Sequence, residues 1–143
     1  MSLDVLAQTL RHESQAIDAL ASRLNESHSS AIDWILACKG RVIACGIGKS
    51  GHIAKKTAGT LSSTGTPSLF LHAGEALHGD LGMVTANDVV LMYSHSGESD
   101  ELVRLFPALK AIGAKVILMT GRAQSSAGRL ADLVIETFVS DEA

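Results

Sequence analysis

Arg41-Val-Ile-Ala-Cys-Gly-Ile-Gly-Lys-Ser-Gly-His52 runs from a short apolar segment directly into a glycine-rich turn. Residues 41–45 have the length and composition of a buried strand, and residues 49–63 have those of a helix. Gly46 and Gly48 allow the backbone to turn sharply between the two. A strand that ends in such a turn and leads into a helix predicts the first unit of a parallel α/β sheet.

The same alternation continues from this segment to the end of the chain. Because short apolar strands alternate with helices, we predict an α/β fold with a parallel sheet of five strands covered on both faces, which is a three-layer, doubly wound arrangement. The remaining strands are predicted at 67–71, 88–93, 115–119 and 133–135, and the later helices at 98–112 and 125–130.

Two helical patterns precede the first strand. Apolar residues recur at helical spacing over residues 3–24, and a second helix is predicted from about residue 30 to 38, with a cap within Ser27–Ser30. We interpret residues 1–40 as an N-terminal helical extension of the same domain and residues 41–143 as the sheet domain. This helical pair is predicted to be an appendage to the sheet that is able to pack across a subunit interface.

Length, composition and charge exclude several classes of protein. The chain has 143 residues, the size of one domain, and 46% apolar with 19% charged residues is typical of a globular protein. A formal charge of −3 without a basic stripe argues against a nucleic-acid partner. No apolar run reaches membrane-spanning length, so we predict no membrane association and a cytoplasmic location. Cys38 and Cys45 are predicted to be buried thiols.

The glycines of the first turn match a dinucleotide-binding fingerprint, because Gly46, Gly48 and Gly51 have the spacing G-x-G-x-x-G. That function also requires an acidic residue about 20 residues further on, at the end of the second strand, to bind the ribose. No acidic residue occurs between Asp33 and Glu75. We therefore expect no dinucleotide site and no cofactor.

The same turn also resembles the end of a P-loop, but a P-loop requires glycine where Ile43 stands. What remains is an anion site, because glycines such as Gly48 allow close approach and a helix N-terminus presents amide donors. Lys49 adds a positive charge and Ser50 a hydroxyl. The alternative is an ordinary strand–helix turn whose lysine is solvated.

A second polar turn follows the predicted third strand, in Ser94-His-Ser-Gly-Glu-Ser99. The hydroxyls of Ser94, Ser96 and Ser99, together with backbone amides, suit a phosphate monoester, which accepts several hydrogen bonds at once. Gly97 allows a sharp turn among them. The alternative is helix capping by Ser96 or Ser99.

A third loop, His72-Ala-Gly-Glu-Ala-Leu-His-Gly-Asp80, contains two histidines and two acidic residues. These residue types are able to bind a metal ion, but their spacing matches no strong metal signature, so we predict none. We interpret the loop as a polar wall of a sugar pocket, with His78 as a candidate substrate-binding residue.

Three motifs together resemble the SIS (sugar isomerase) domain of the arabinose-5-phosphate isomerase family. They are Gly46-Ile-Gly-Lys-Ser-Gly-His52, Gly74-Glu-Ala-Leu-His-Gly-Asp-Leu-Gly-Met83 and Ser94-His-Ser-Gly-Glu-Ser99. The resemblance implies a flavodoxin-like five-stranded sheet and a homotetramer. It also implies interconversion of D-arabinose 5-phosphate and D-ribulose 5-phosphate in the synthesis of Kdo, a sugar of lipopolysaccharide. The alternatives are an isomerase of another sugar phosphate and a non-catalytic domain that senses sugar phosphates.

The resemblance also assigns roles to residues. It implies phosphate binding by Ser94, Ser96 and Ser99, with Ser50 nearby, and catalytic roles for the residues Lys49, Glu101 and Glu142. In the family the chain continues through further helices, a catalytic histidine and usually a pair of CBS domains. This sequence stops at Ala143, so we expect a truncated domain that binds pentose 5-phosphates and turns them over very slowly.

Overall fold

The computed structural model describes residues 3–140, which form seven α-helices, one 3-10 helix and five strands. The helices are α1 (Leu3–Ala21), α2 (Glu26–Leu36), α3 (Gly48–Ser63), α4 (Ala73–Ala76), α5 (Asp100–Val103), α6 (Phe106–Ile112) and α7 (Ser126–Leu130), with the 3-10 helix at Asp80–Met83. The strands are β1 (Val42–Gly46), β2 (Ser68–His72), β3 (Val89–Tyr93), β4 (Lys115–Thr120) and β5 (Leu133–Glu136).

All five strands are parallel, and their order in the sheet is β2-β1-β3-β4-β5. This is the flavodoxin-like order that the resemblance to SIS domains implies. The chain leaves β1 towards one edge of the sheet and leaves β3 towards the other. The strand order therefore reverses between β1 and β3, and ligands in open α/β sheets bind in the crevice at such a reversal.

Helices cover both faces of the sheet. Alternate residues of each strand point to opposite faces, so Val42 and Ala44 of β1 pack towards α2 and α3, whereas Ile43 and Cys45 pack towards α4–α7. Every residue of β1 is buried, which explains its continuous apolar composition. The three-layer fold predicted from the sequence is confirmed.

The helix α2 begins earlier than expected because its cap is Asn25 and not a serine within Ser27–Ser30. The side-chain oxygen of Asn25 accepts a hydrogen bond from Ser27 N at 3.0 Å, and Asn25 N donates to His28 Nδ1 at 3.2 Å. This reciprocal pair satisfies amide groups that the helix start otherwise leaves free. Trp34 and Ile35 of the same helix pack against the sheet.

The single helix predicted over residues 98–112 is wrong, because two short helices, α5 and α6, occupy this range. Pro107 lies at the first turn of α6, where its missing N–H costs nothing, but it cannot continue a preceding helix. The loop that begins at His72 also contains helical turns that the sequence pattern did not predict, namely α4 and the 3-10 helix.

Buried Asp88 fixes the amino edge of the sheet. Its carboxylate accepts hydrogen bonds from Arg41 N at 2.7 Å, from Thr85 N at 2.7 Å and from Thr85 Oγ1 at 3.0 Å. These bonds join the starts of β1 and β3, which are neighbours in the sheet. A buried carboxylate is stable only when its oxygens are paired in this way.

The helix α1 buries none of its residues. Its apolar side chains lie at helical spacing and are exposed along one side of the helix, at positions Leu3, Leu6, Leu10 and Ile17. No helix within residues 3–140 has both the length and the hydropathy needed to cross a membrane.

Candidate functional site

The carboxyl ends of the strands bring the three polar loops to one edge of the sheet. Gly46, the last residue of β1, pairs in register with His72 of β2 on one side and with Tyr93 of β3 on the other. The loops that begin at these three positions therefore start side by side. They flank the point where the strand order reverses, which is the expected position of a ligand crevice.

The turn after β1 is built for close packing of backbone against backbone. A Cβ at Gly46 would lie 3.0 Å from the backbone atoms of Ser50 and Gly51, so only glycine allows this tight turn. Gly48 has a φ of +57°, a conformation that favours glycine. The N-cap of α3, Ile47, offers no side-chain acceptor, so the first amides of this 16-residue helix have no cap and are available to an anion.

Two predicted site residues of this turn lie at the start of α3. Lys49 is exposed, and Ser50 is half-buried. Both follow directly from the carboxyl end of β1, so the turn presents one charge and one hydroxyl beside the uncapped amides. This arrangement offers the donors that an anion requires.

The three serines of the turn after β3 differ in burial and in hydrogen bonding. Ser94 is only 4% exposed, and its Oγ accepts a hydrogen bond from Gly97 N at 3.1 Å. Ser94 Oγ also lies 3.5 Å from Ser99 Oγ, whereas the half-buried Ser96 accepts a hydrogen bond from Glu98 N at 3.2 Å. Gly97 has a φ of +67°, which allows the sharp turn.

The alternative in which these serines cap a helix does not describe the structure. Ser99 occupies the N-cap position of α5, yet its hydroxyl forms no capping hydrogen bond. The hydroxyl of Ser96 bonds to Glu98 N, which precedes that helix. Neither the Ser99 hydroxyl nor the Ser96 hydroxyl therefore caps α5.

The turn after β3 is held by the N-terminal part of α7, which no sequence motif indicated. Glu98 Oε1 accepts a hydrogen bond from Ser126 N at 2.9 Å, and Gly97 O accepts one from Ala127 N at 3.0 Å. The hydrogen bonds of Glu98 with the side chain and the backbone of Ser126 lower the pKa of Glu98. The carboxylate thus acts as a fixed support of the turn.

A cavity of about 280 Å³ joins the turns after β1 and β3, because Ser50 and Ser94 both line it. The other residues that line it are Ile53, Tyr93, His95, Met119 and Thr137. Tyr93 donates a hydrogen bond from its hydroxyl to Thr57 Oγ1 at 3.0 Å, and its burial raises the pKa of this phenol. The cavity combines hydroxyl donors with apolar walls, which is typical of a site for a small polar ligand.

Two other predicted site residues, His78 and Glu101, do not line the cavity. His78 and Glu101 are exposed, in the loop after β2 and in α5 respectively. Glu142 lies outside the described residues. Within residues 3–140 no group of three histidine, cysteine, aspartate or glutamate side chains is arranged to hold a metal ion.

His95 also lies at the carboxyl edge of the sheet, but the motif Ser94–Ser99 did not indicate it as a site residue. His95 lines the cavity, and its carbonyl oxygen accepts hydrogen bonds from Gly121 N at 3.0 Å and Thr120 Oγ1 at 3.2 Å. Thr120 and Gly121 lie at the carboxyl end of β4. Ligand-binding residues in parallel sheets follow the carboxyl ends of the strands, so the same rule applied to β4 would have predicted Thr120 and Gly121 as part of the site.

Comparison with known proteins agrees with this geometry. The family model described as SIS domain matches residues 35–143. A Pseudomonas aeruginosa protein named arabinose 5-phosphate isomerase KdsD is 46% identical over 136 residues, which are 95% of this chain and 42% of the relative. A protein of the same name from Escherichia coli K12 is also 46% identical over 136 residues, with the same coverage of both chains.

A solved structure has a similar fold. An Escherichia coli CFT073 protein in complex with arabinose 5-phosphate superposes with a TM-score of 0.92 at 38% identity, covering 98% of this chain and 74% of that chain. The chain spans 42% of the length of the curated relatives named above. The shared region includes all three polar loops.

Proposed function

The chain belongs to the family of SIS domains, and from that premise we propose that it forms the substrate site of an aldose–ketose isomerase. The reaction is the interconversion of D-arabinose 5-phosphate and D-ribulose 5-phosphate. The observation that carries this proposal is the cavity shared by Ser50 and Ser94 at the reversal of strand order. Relatives named arabinose 5-phosphate isomerase cover 95% of the chain and support this choice of substrate.

The phosphate group is assigned to the turns after β1 and β3. Hydroxyl donors come from Ser50, Ser94, Ser96 and Ser99, and backbone donors come from the uncapped start of α3 at Gly48. Several hydrogen bonds to one charged group hold a short sugar in a single position. Binding energy from the phosphate is then available to orient the reacting carbons.

The chemistry requires a proton to move between C1 and C2 through an enediol. Lys49 lies at the start of α3, where its ammonium stabilises negative charge that develops on the sugar oxygen. Glu101 and Glu142 are the proposed acid–base groups, and His78 is a proposed donor to sugar hydroxyls. Residues that follow this segment in the longer relatives are an equal candidate source of the base.

Binding is the first test of this proposal. We expect titration calorimetry to show saturable binding of arabinose 5-phosphate and no binding of arabinose at the same concentration, because the phosphate supplies most contacts. Equal heats for the two sugars would remove the basis for a phosphate site.

Chemistry is tested by solvent exchange. In D₂O the enediol step replaces the C2 proton of arabinose 5-phosphate with deuterium, which proton NMR detects even when net turnover is slow. We expect Lys49→Met to slow this exchange by about 100-fold, because one electrostatic donor is lost. The matched variant Lys55→Met, an exposed lysine on the same helix, should exchange at the parental rate. Binding without any exchange in the parental chain would favour the sugar-phosphate sensor.

A homotetramer in the cytoplasm is part of the proposal, as is a place in Kdo synthesis. The exposed apolar residues Leu6 and Leu10 lie on one side of α1, and a second copy of the chain would bury them. We expect the double variant Leu6→Glu/Leu10→Glu to have a lower mass in light scattering than the parental chain. The control Gln8→Glu adds charge at an exposed polar position of α1 and should leave the mass unchanged.

A further inference from the structure

His95 is the second residue of the turn that begins at Ser94, and its backbone is held on both sides. Ser94 N donates a hydrogen bond to Met119 O at 3.1 Å, while the carbonyl of His95 accepts hydrogen bonds from Thr120 Oγ1 and Gly121 N. A backbone fixed in this way sets the direction in which the side chain leaves the turn. His95 is exposed, and it lines the cavity together with Ser50 and Ser94.

The ring lies against Gly121, and this contact depends on the absence of a side chain there. A Cβ at position 121 would come within 2.8 Å of Cε1 and 2.9 Å of Nδ1 of His95. The next nearest atom to that Cβ is the carbonyl oxygen of His95 itself, at 3.1 Å. Gly121 does not have a positive φ, so its backbone conformation does not itself demand glycine. The closest contacts that a side chain at position 121 would make are therefore with the imidazole.

We propose that His95 is a phosphate-binding residue and that Gly121 positions its ring, an inference that rests on the proposed function. Either neutral tautomer of the imidazole has one N–H donor, and the protonated form has two. The serine hydroxyls and the start of α3 contribute donors from the turns after β3 and β1. His95 adds a donor from the wall beside β4, so the phosphate is surrounded by donors from three directions. None of the motifs in the sequence assigned this role to residue 95.

The substitution His95→Ala tests the donor. We expect it to weaken binding of arabinose 5-phosphate by roughly 10- to 100-fold in titration calorimetry, which corresponds to the loss of one hydrogen bond to a charged group. Binding of inorganic phosphate should weaken by a similar factor, because the contact is with the phosphate and not with the sugar. His95→Gln retains an N–H donor and should recover part of the affinity. The control His12→Ala, on α1, should bind as the parental chain does.

The substitution Gly121→Ala tests the positioning. In the parental background the new methyl group displaces the ring, so we expect affinity to fall by about tenfold. In the His95→Ala background no ring is present to be displaced, and Gly121→Ala should change affinity less than about twofold. This non-additivity is the signature of a residue that acts through another.

Each role has a result that would overturn it. Affinity of His95→Ala within about twofold of the parental value would overturn the donor role. A similar loss from Gly121→Ala in both backgrounds would show that Gly121 supports the fold and not the ring. Absence of binding by the parental chain would instead overturn the proposed function, and this inference with it.

Discussion

Replacing Ser94 by alanine should damage both the fold and the site, and the structure gives the size of the first effect. Ser94 is 4% exposed, and its Oγ is the acceptor for Gly97 N in a buried turn. Alanine removes the acceptor and leaves a buried amide without a partner, which costs about 1–3 kcal/mol. For a chain of this length that loss lowers the melting temperature by about 3–10 °C.

Ser96→Ala is the matched comparison, because Ser96 belongs to the same turn but its hydrogen bond is exposed. Its Oγ accepts from Glu98 N, and water replaces this acceptor when the hydroxyl is removed. We expect a change of less than about 0.5 kcal/mol in stability. Affinity for arabinose 5-phosphate should still fall by roughly 10- to 100-fold, since one hydrogen bond to a charged group is lost.

The assay combines thermal unfolding without ligand and calorimetric titration with arabinose 5-phosphate. The expected pattern is that Ser94→Ala loses stability and affinity, whereas Ser96→Ala loses affinity alone. Equal melting temperatures for Ser94→Ala and the parental chain would refute the argument from the buried hydrogen bond. Unchanged affinity in Ser96→Ala would withdraw that residue from the phosphate site.

Further predictions concern buried and supporting groups. Asp88→Ala removes a carboxylate that accepts three hydrogen bonds and should cost about 3 kcal/mol in guanidinium unfolding, whereas the exposed control Asp100→Ala should cost less than about 0.5 kcal/mol. The pKa of Glu98 is lowered, which means that its charged form stabilises the fold at neutral pH. We therefore expect Glu98→Gln to have a lower melting temperature than the parental chain at neutral pH. This difference should shrink as the pH falls through and below 4.5, the ordinary pKa of a glutamate. A constant difference across that range would contradict this. The prediction that both thiols are buried is confirmed for Cys45 and is wrong for Cys38, which is only partly buried. Burial raises the pKa of the Cys45 thiol to about 12, so we expect iodoacetamide to label only Cys38 in the folded chain. Mass spectrometry should detect label on Cys45 only after unfolding.

The sheet was predictable because its strands are buried on both faces. A run such as Val42–Gly46 needs no alternation of polar and apolar residues, so a short apolar segment between glycine-rich turns identifies it. The observed strand differs from the predicted 41–45 by one residue at each end. The order of the strands followed from the resemblance to SIS domains and is confirmed by the pairing in the structure.

The helix boundaries were less predictable because local side-chain chemistry determines them. Asn25 and the serines that follow it are all good caps, and only the pairing of Asn25 with His28 selects the first. The apolar pattern of residues 98–112 suits one helix, yet Pro107 has no N–H to continue it. Periodicity reports which residues face the core, and it does not report where the hydrogen-bond ladder stops.

In the candidate site, too, the sequence predicted the residues but not the role of each hydroxyl. In the sequence, Ser94, Ser96 and Ser99 are three equivalent donors beside a glycine. In the structure, the first is buried and holds the turn, the second accepts from an exposed amide, and the third is left without a capping bond. Burial decides which of these hydroxyls also holds the turn, and burial depends on the packing of the whole sheet.

The hydrogen bonds that hold the turn after β3 come from residues that no sequence motif contained. Glu98 and Gly97 are held by Ser126 and Ala127 of α7, nearly thirty residues further along the chain. They meet because β4 lies beside β3 and the chain that leaves β4 passes over the end of its neighbour. These hydrogen bonds form within the chain itself, so the donors are already ordered before a phosphate arrives. A site ordered in advance does not lose binding energy in ordering its own loops, which is the physical reason to expect useful affinity from a small ligand.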